Sequence, residues 1–323
     1  MRHTDSKDNS GFLLIDKPCG LTSRKVVDLL IRSGKYRGKA GHAGTLDPLA
    51  TGLLILCFGK ATRLAQYLIE EDKRYTTTFL LGVETDTCDR EGEVVSCDWE
   101  KQAEVLKERD IRNLLETYTG TIQQVPPIYS ARKVGGRRSY ELARKGIEVN
   151  LPPNPVVIKE MKLLSWEPPE LSLSILCSTG TYIRALARDI GRDLGTGGHV
   201  SILERNAVGS LTVDEAIPLE KAIERARSEG LGRMLLPIEL PLRNWSKVRI
   251  DNSSRYKLVN GAKVIVGDTY IDNVGKIPAD YPCRVGIWET NGAFLGIGRI
   301  EPAGTRSYIL YPEKVITAGA VAG

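Results

Sequence analysis

Between residues 11 and 236, apolar runs with the alternation of a strand and runs with the roughly 3.6-residue period of a helix succeed one another without a regular βαβ beat. "GFLLIDKPCGLTS" reads as a short strand, a Lys-Pro turn and an N-cap at Ser23, and "RKVVDLLIRSG" as a short helix closed by Gly34. "LLILCFG" is a buried-strand candidate, "ATRLAQYLIEEDK" a helix and "RYTTTFLLG" a β-branched and aromatic strand. Residues 101–118 suit a helix, and "VVIKEMKLLSWEPPELSLSILC" a hairpin about Pro-Pro. "TYIRALARDIGRDLG" is a helix, "HVSILERNAVGSLTV" a loop and strand, and 214–229 another helix. Such irregular order argues an α+β fold with a central mixed or antiparallel sheet flanked by helices. Past the proline-punctuated stretch 237–245 the chain turns to short β-like segments with glycine turns. The expected division is a disordered lead at 1–10, a large domain at 11–243 with a basic insertion at 122–150, a small β-rich domain at 244–312, and a tail at 313–323.

Charge and cysteine usage narrow the chemistry. The net charge of +5 permits a nucleic-acid partner without requiring one. No apolar run approaches the ~18–20 residues of a membrane span, and the polar start "MRHTDSKDNSG" is no signal peptide, so a cytoplasmic protein is expected. Six cysteines without a C-x-x-C pair read as reduced, mostly buried thiols. His3, His42 and His199 lie far apart, so no metal is expected. "GKYRGKAGHAG" lacks the phosphate-loop pattern, and "GTGG" at 195–198 ends a helix instead of opening one, which leaves nucleotide cofactors without a cradle.

Four segments can carry acid–base or RNA chemistry. In "GHAGTLDPLATG" (41–52), Asp47 precedes Pro48 and is pushed towards an extended conformation. Gly41 and Gly44 allow sharp turns, and Gly52 starts the following strand, so one carboxylate can stand at the mouth of a sheet; alone, the same residues fit an Asx-type turn. "TYIRALARD" places Tyr182 and Arg184 at the first turn of a helix, and "KRYTTT" places Tyr75 at the start of a strand beside Lys73 and Arg74. An arginine paired with a carboxylate in a partly dry cleft favours the ionised form. An aromatic ring among cations can stack a nucleobase, worth roughly 1–3 kcal/mol. Residues 131–146 carry six Lys/Arg against one Glu, a charged loop or an arm for an RNA backbone.

Taken together, these segments resemble the TruB family of tRNA pseudouridine synthases. The resemblance runs along the chain in order: "LLIDKPCGLTS", "GHAGTLDPLATGLL", "KRYTTTFLLGVETDTCDREG", "QVPPIYSARKVGGRRSYELARKG", "GTYIRALARDIG" and "HVSILERNAVG". It implies that Asp47 is the catalytic aspartate and that Tyr75 stacks on the target base and relays the C5 proton. It further implies that Arg184 pairs with the aspartate beside Tyr182, and that Lys17 supports the site. His42 then holds the rearranged RNA loop, Leu203 lines the base pocket, and Arg132, Lys133, Arg137 and Arg138 belong to an arm that closes on the RNA. The implied reaction isomerises uridine 55 in the T loop of tRNA after base flipping, with no cofactor, no guide RNA and no obligatory protein partner, in a monomer. Attack by the carboxylate at C1′ or C6 and its action as a base on the sugar all remain open. Residues 244–312 resemble a PUA-type RNA-binding barrel, with "LVNGAKV" and "GAFLGIGRI" as its best-matching strands, an SH3-like capping barrel being the alternative. Two departures are small: Thr179 stands where many members have Lys, and "NPV" at 154–156 replaces "RPV". The guide-RNA-dependent branch of the family and a non-catalytic tRNA-binding protein are the competing readings.

Overall fold

The computed structural model describes residues 9–97, 106–130, 132–134, 136–139, 150–272 and 282–316. Its first part runs β1 (Gly11–Lys17), α1 (Ser23–Ser33), β2 (Ala40–His42), β3 (Thr51–Phe58), α2 (Ala65–Glu70) and β4 (Lys73–Leu81). A small hairpin, β5 (Val83–Thr85) and β6 (Val94–Cys97), precedes α3 (Glu108–Thr117) and β7 (Gly120–Gln124). A second one pairs β8 (Lys133–Val134) with β9 (Arg137–Arg138). The long antiparallel pair β10 (Asn154–Glu167) and β11 (Glu170–Cys177) turns at Pro168–Pro169. Then come α4 (Ile183–Asp193), β12 (Gly198–Val208), β13 (Leu211–Thr212), β14 (Ile217–Pro218) and α5 (Leu219–Glu229).

Ten of these strands form one mixed sheet in the order β14-β1-β3-β12-β4-β11-β10-β7, with β13 paired to β12 and β2 to β3. β3 and β12 are parallel, while β12, β4, β11, β10 and β7 run antiparallel to their neighbours. β3 lies near the middle, and Leu53 to Cys57 are all buried, the continuous apolar run that a strand covered on both faces demands. Because β3, β12 and β4 are adjacent, the loop entering β3, Leu203 on β12 and Tyr75 on β4 are gathered at one place in the sheet.

The chain divides into two compact units: Leu13–Cys57 with Ala65–Met234, and Leu235–Gly323 with Met1–Phe12 and Phe58–Leu64. In the second unit, β15 (Lys247–Ile250), α6 (Asn252–Val259), β16 (Val264–Gly267), β17 (Ile271–Asp272), β18 (Cys283–Glu289), β19 (Phe294–Gly304) and β20 (Ser307–Val315) build a curled six-stranded sheet. Its order is β16-β20-β19-β18-β15-β17, around a core that includes Val248, Ile250, Leu258, Val285, Ile287 and Leu310. Among the described residues no helix is long and apolar enough to cross a membrane.

Several local expectations need correction. The N-cap of α1 is Thr22, whose hydroxyl accepts from the Lys25 amide; Ser23 is the first helical residue and is buried. "HVSILERNAV" is one continuous strand, β12, because it pairs along its length with β4. Helix α5 begins only at Leu219, after a single 3₁₀ turn at Val213–Glu215 and the short β14. "LVNGAKV" is no strand: Leu258 and Val259 end α6, which the Asp251 side chain caps through the Ser254 amide, and β16 starts at Val264. The lead at 1–8, the segment 98–105, arm residues 140–149 and the end of the tail at 317–323 lie outside the described residues.

Helix α4 lies close on β12 through a glycine contact. A Cβ on Gly191 would stand 2.4 Å from the carbonyl carbon of Gly197. Alanine is the better helix former by about 1 kcal/mol, yet here it forces backbone apart. Gly191→Ala is therefore expected to lower unfolding stability by about 2 kcal/mol in urea titrations, and a stability gain would contradict the close approach.

Candidate active site

The stretch 41–52 has little regular structure, so side chains and turns must supply what a ladder does not. Ser23 grips it twice: its hydroxyl donates to the Leu46 carbonyl at 3.0 Å and accepts from the Leu46 amide at 2.8 Å. Lys17, fully buried, donates to the carbonyls of Pro18 (2.9 Å), Leu21 (2.8 Å) and Pro48 (3.2 Å). The Gly20 amide also donates to Pro48, and the Ala50 amide closes the Asp47-Pro48 turn on the Asp47 carbonyl. Gly44 and Gly52 sit at φ +93° and +91°, a region that other residues rarely enter.

Asp47 emerges from this loop with its side chain about one-third exposed, facing the buried guanidinium of Arg184 in the first turn of α4. Nε of Arg184 meets Oδ2 at 2.9 Å and Nη2 meets Oδ1 at 3.2 Å, a fork on both carboxylate oxygens. The remaining donors go to the Tyr129 carbonyl (2.9 Å), the Thr87 carbonyl (3.0 Å) and the carboxylate of buried Asp89 (3.3 Å). Asp89 is itself held, its Oδ1 accepting from the Thr87 hydroxyl at 2.7 Å and the Glu91 amide at 3.0 Å. Gln124, buried on β7, sets the start of α4 by donating to the Tyr182 carbonyl and accepting from the Tyr182 amide.

Tyr75 is half-buried on β4, opposite Arg205 of β12 and Ile175 of β11. Burial pushes its phenol upward from the ordinary value; the Arg205 guanidinium works against that, while Asp47 is near enough for its charge to add to the rise. Leu203 pairs with Thr77 two residues along and is buried. His42 ends β2 with Nδ1 buried and, among the described residues, without a hydrogen-bond partner. Burial lowers its pKa, helped by the charges of Arg205 and Arg24, so the ring is neutral at neutral pH. Tyr182 is half-buried at the N-cap of α4. Arg132 donates to the Asn154 side chain at 2.5 Å, away from Asp47 in the hydrogen-bond network. Lys133, Arg137 and Arg138 lie on the hairpin β8–β9, their side chains outside the described residues. Among the described residues, no three His, Cys, Asp or Glu side chains are placed to hold a metal ion.

The profile for the N-terminal domain of TruB family pseudouridylate synthases matches residues 32–183, and that for the C-terminal domain of tRNA pseudouridylate synthase B matches 184–243. A protein of Saccharophagus degradans named tRNA pseudouridine synthase B is 40% identical, covering 95% of this chain and 96% of its own. One of the same name from Stutzerimonas stutzeri is 38% identical over 92% of this chain and 94% of its own. The chain belongs to the TruB family. The fold extends to more distant proteins. A chain of an H/ACA RNP bound to a substrate RNA containing 2′-deoxyuridine matches with a TM-score of 0.69 at 23% identity, over 98% of this chain and 88% of that one. A chain of a Cbf5-Nop10-Gar1 complex matches with a TM-score of 0.70 at 24% identity, over 97% and 87%.

Within this TruB chain, the structure joins Asp47 to Arg184 directly and to Lys17 through Pro48. Sequence reasoning missed Asp89, Ser23 as a loop anchor, and Gln124. Asp89 is one of four acidic residues in 86–93, and nothing local marks which of them is buried. Burial lowers the Lys17 pKa to about 8, the nearby Cys19, Asp47 and Glu91 opposing it and Arg205 adding to it. Between about 8 and 10.5 the folded protein has therefore released a proton that the unfolded chain still binds, so this lysine makes stability rise with pH. The stability difference between wild type and Lys17→Met is expected to move about 2 kcal/mol in favour of wild type from pH ~7 to ~10. A difference in urea unfolding energies that stays flat over that range removes this assignment.

Proposed function

We propose that this chain is a stand-alone tRNA pseudouridine synthase that isomerises uridine 55 of the T loop, with Asp47 as its catalytic carboxylate. The fork between Arg184 and Asp47 carries the reading: one carboxylate, oriented on both oxygens, is the part of a buried ionic network that reaches the surface. Pseudouridine formation breaks the N1–C1′ bond, turns the uracil, joins C5 to C1′, moves a proton from C5 and delivers one to N1. A fixed anion serves attack at C1′, attack at C6, or proton removal from the sugar equally well. Tyr75 lies near enough for the Asp47 charge to act on its phenol, and there its ring can stack on the flipped uracil and its phenol can relay the C5 proton. Lys17 and Tyr182 hold the loop and helix that carry Asp47 and Arg184. His42, neutral and half-buried, fills space vacated by the flipped base, and Leu203 supplies an apolar wall.

The RNA backbone is assigned to the arm that carries Arg132, Lys133, Arg137 and Arg138, and a second contact to the PUA-like sheet of the C-terminal unit. The protein works as a monomer in the cytoplasm. Since the matched H/ACA chain comes from a particle with RNA, the test must omit guide RNA. Purified chain mixed with an unmodified tRNA transcript is expected to give pseudouridine at position 55, and Asp47→Asn to lower the rate at least ~10³-fold. Equal product from both proteins removes Asp47 from the chemistry; binding without product from either leaves an RNA-binding protein. For the arm, changing Arg137 and Arg138 to Ala is expected to weaken tRNA binding and reduce the slope of log Kd on log salt by roughly 1.5. An unchanged slope rejects it.

A further inference from the structure

One buried charge of the catalytic unit has no place in the chemistry above. Arg205 on β12 is 1% exposed, and among the described residues no carboxylate pairs with it. Three of its donors go to carbonyls, Nε to Leu53 at 2.9 Å, Nη1 to Thr45 at 3.3 Å and Nη2 to Gly44 at 3.1 Å, and its side chain also hydrogen-bonds the Tyr75 phenol. A buried guanidinium without a counter-ion is costly, and neutral residues could pack the space between two strands more cheaply. What it supplies is rigid geometry, since its planar fork fixes several acceptors at once.

Those acceptors bracket the aspartate. Gly44 and Thr45 lie just before Asp47 in the loop, and Leu53 lies just after it on β3. The main chain of Arg205 closes the same bracket: it pairs with Gly52 in the parallel ladder, and a Cβ on Gly52 would stand 2.4 Å from the Arg205 carbonyl oxygen. On its other edge Arg205 is the antiparallel partner of Tyr75. One residue thus touches both ends of the Asp47 loop and sits opposite the tyrosine.

We propose that Arg205 is a positioning residue for the reaction, locking the Asp47 loop to β3 and fixing its placement against Tyr75. The inference rests on the function proposed above, but its geometry can be tested apart from that function. The guanidinium also favours the phenolate of Tyr75, opposing the effect of burial, and so acts on the group assigned to the C5 proton.

The test compares wild type, Arg205→Lys and Arg205→Met. Lysine keeps the buried charge and loses the fork, so it reads geometry even if the methionine variant does not fold. With Arg205→Lys, affinity for T-loop RNA is expected to stay within about threefold while the single-turnover rate falls ~100-fold, as for a displaced reacting group. Hydrogen–deuterium exchange is expected to quicken in residues 43–52 and to stay unchanged in β19 and β20. A rate within threefold of wild type, or unchanged exchange across 43–52, overturns the proposal. If wild type itself makes no pseudouridine, the functional reading fails, and the exchange measurement still decides whether Arg205 holds the loop.

Discussion

The site depends on a single guanidinium. Arginine has five N–H donors in a rigid plane and cannot shed its charge inside a protein. In Arg184 every direction of that plane is taken, by two carboxylates and by the carbonyls of Thr87 and Tyr129. Four stretches of chain far apart in sequence are thereby tied together: the Asp47 loop, the turn at 85–93, the segment after β7, and α4. Each holds its place partly because the buried cation needs it. Removing one carboxylate from such a group leaves a charge uncompensated, typically at about 3–5 kcal/mol. The interaction that orients Asp47 is thus also one that folds the surroundings, so the orientation of Asp47 and local stability cannot be varied independently at Arg184.

The loop itself shows a second constraint. A segment that makes few ladder bonds leaves carbonyls facing inward, and buried carbonyls need donors. Here the donors are cationic side chains from neighbouring strands, Lys17 of β1 and Arg205 of β12, with Ser23 of α1 serving Leu46. The glycines at positive φ let the backbone turn carbonyls towards these donors without side-chain clashes. Burial keeps the arrangement dry, and it is the same burial that lowers the Lys17 pKa to about 8. Rigidity in an irregular loop is obtained from charge, not from hydrogen-bonded secondary structure.

Much of this was legible in the sequence wherever the signal was local. The run 53–57, the Pro-Pro hairpin of β10 and β11, and the amphipathic α4 appear where periodicity and turn residues put them. Asp47 and Arg184 stood out because their flanking residues form long recognisable strings. Features chosen by tertiary contact were not legible. Thr22 and Ser23 are both competent N-caps, and only the distant Leu46 decides that Ser23 turns inward. Strand β12 carries Glu204, Arg205 and Asn206 in succession, which breaks the alternation that marks a strand, and its ladder with β4 overrides this. Helix α6 buries Leu258 alone among its residues, so it has no apolar stripe to read. Asp89 becomes buried because the turn is drawn to β12, where the Val200 amide donates to Cys88 and the Arg90 amide donates to Val200.

The balance of charges explains why Asp47 is the group left accessible. Arg184, Arg205 and Lys17 are buried cations, set against Asp47 and Asp89. Asp89 is closed off, and Asp47 keeps about a third of its side chain open. Lys17 and Arg205 direct donors to carbonyls, and among the described residues neither forms an ion pair with a carboxylate, Asp47 and Glu91 acting on Lys17 only from nearby. These buried cations give the loop around Asp47 a positive background that offsets part of the repulsion between its carboxylate and an incoming polyanion. A site built only from matched ion pairs would lack that background. Burying cations among carbonyls gives an acidic residue a setting into which RNA can be drawn.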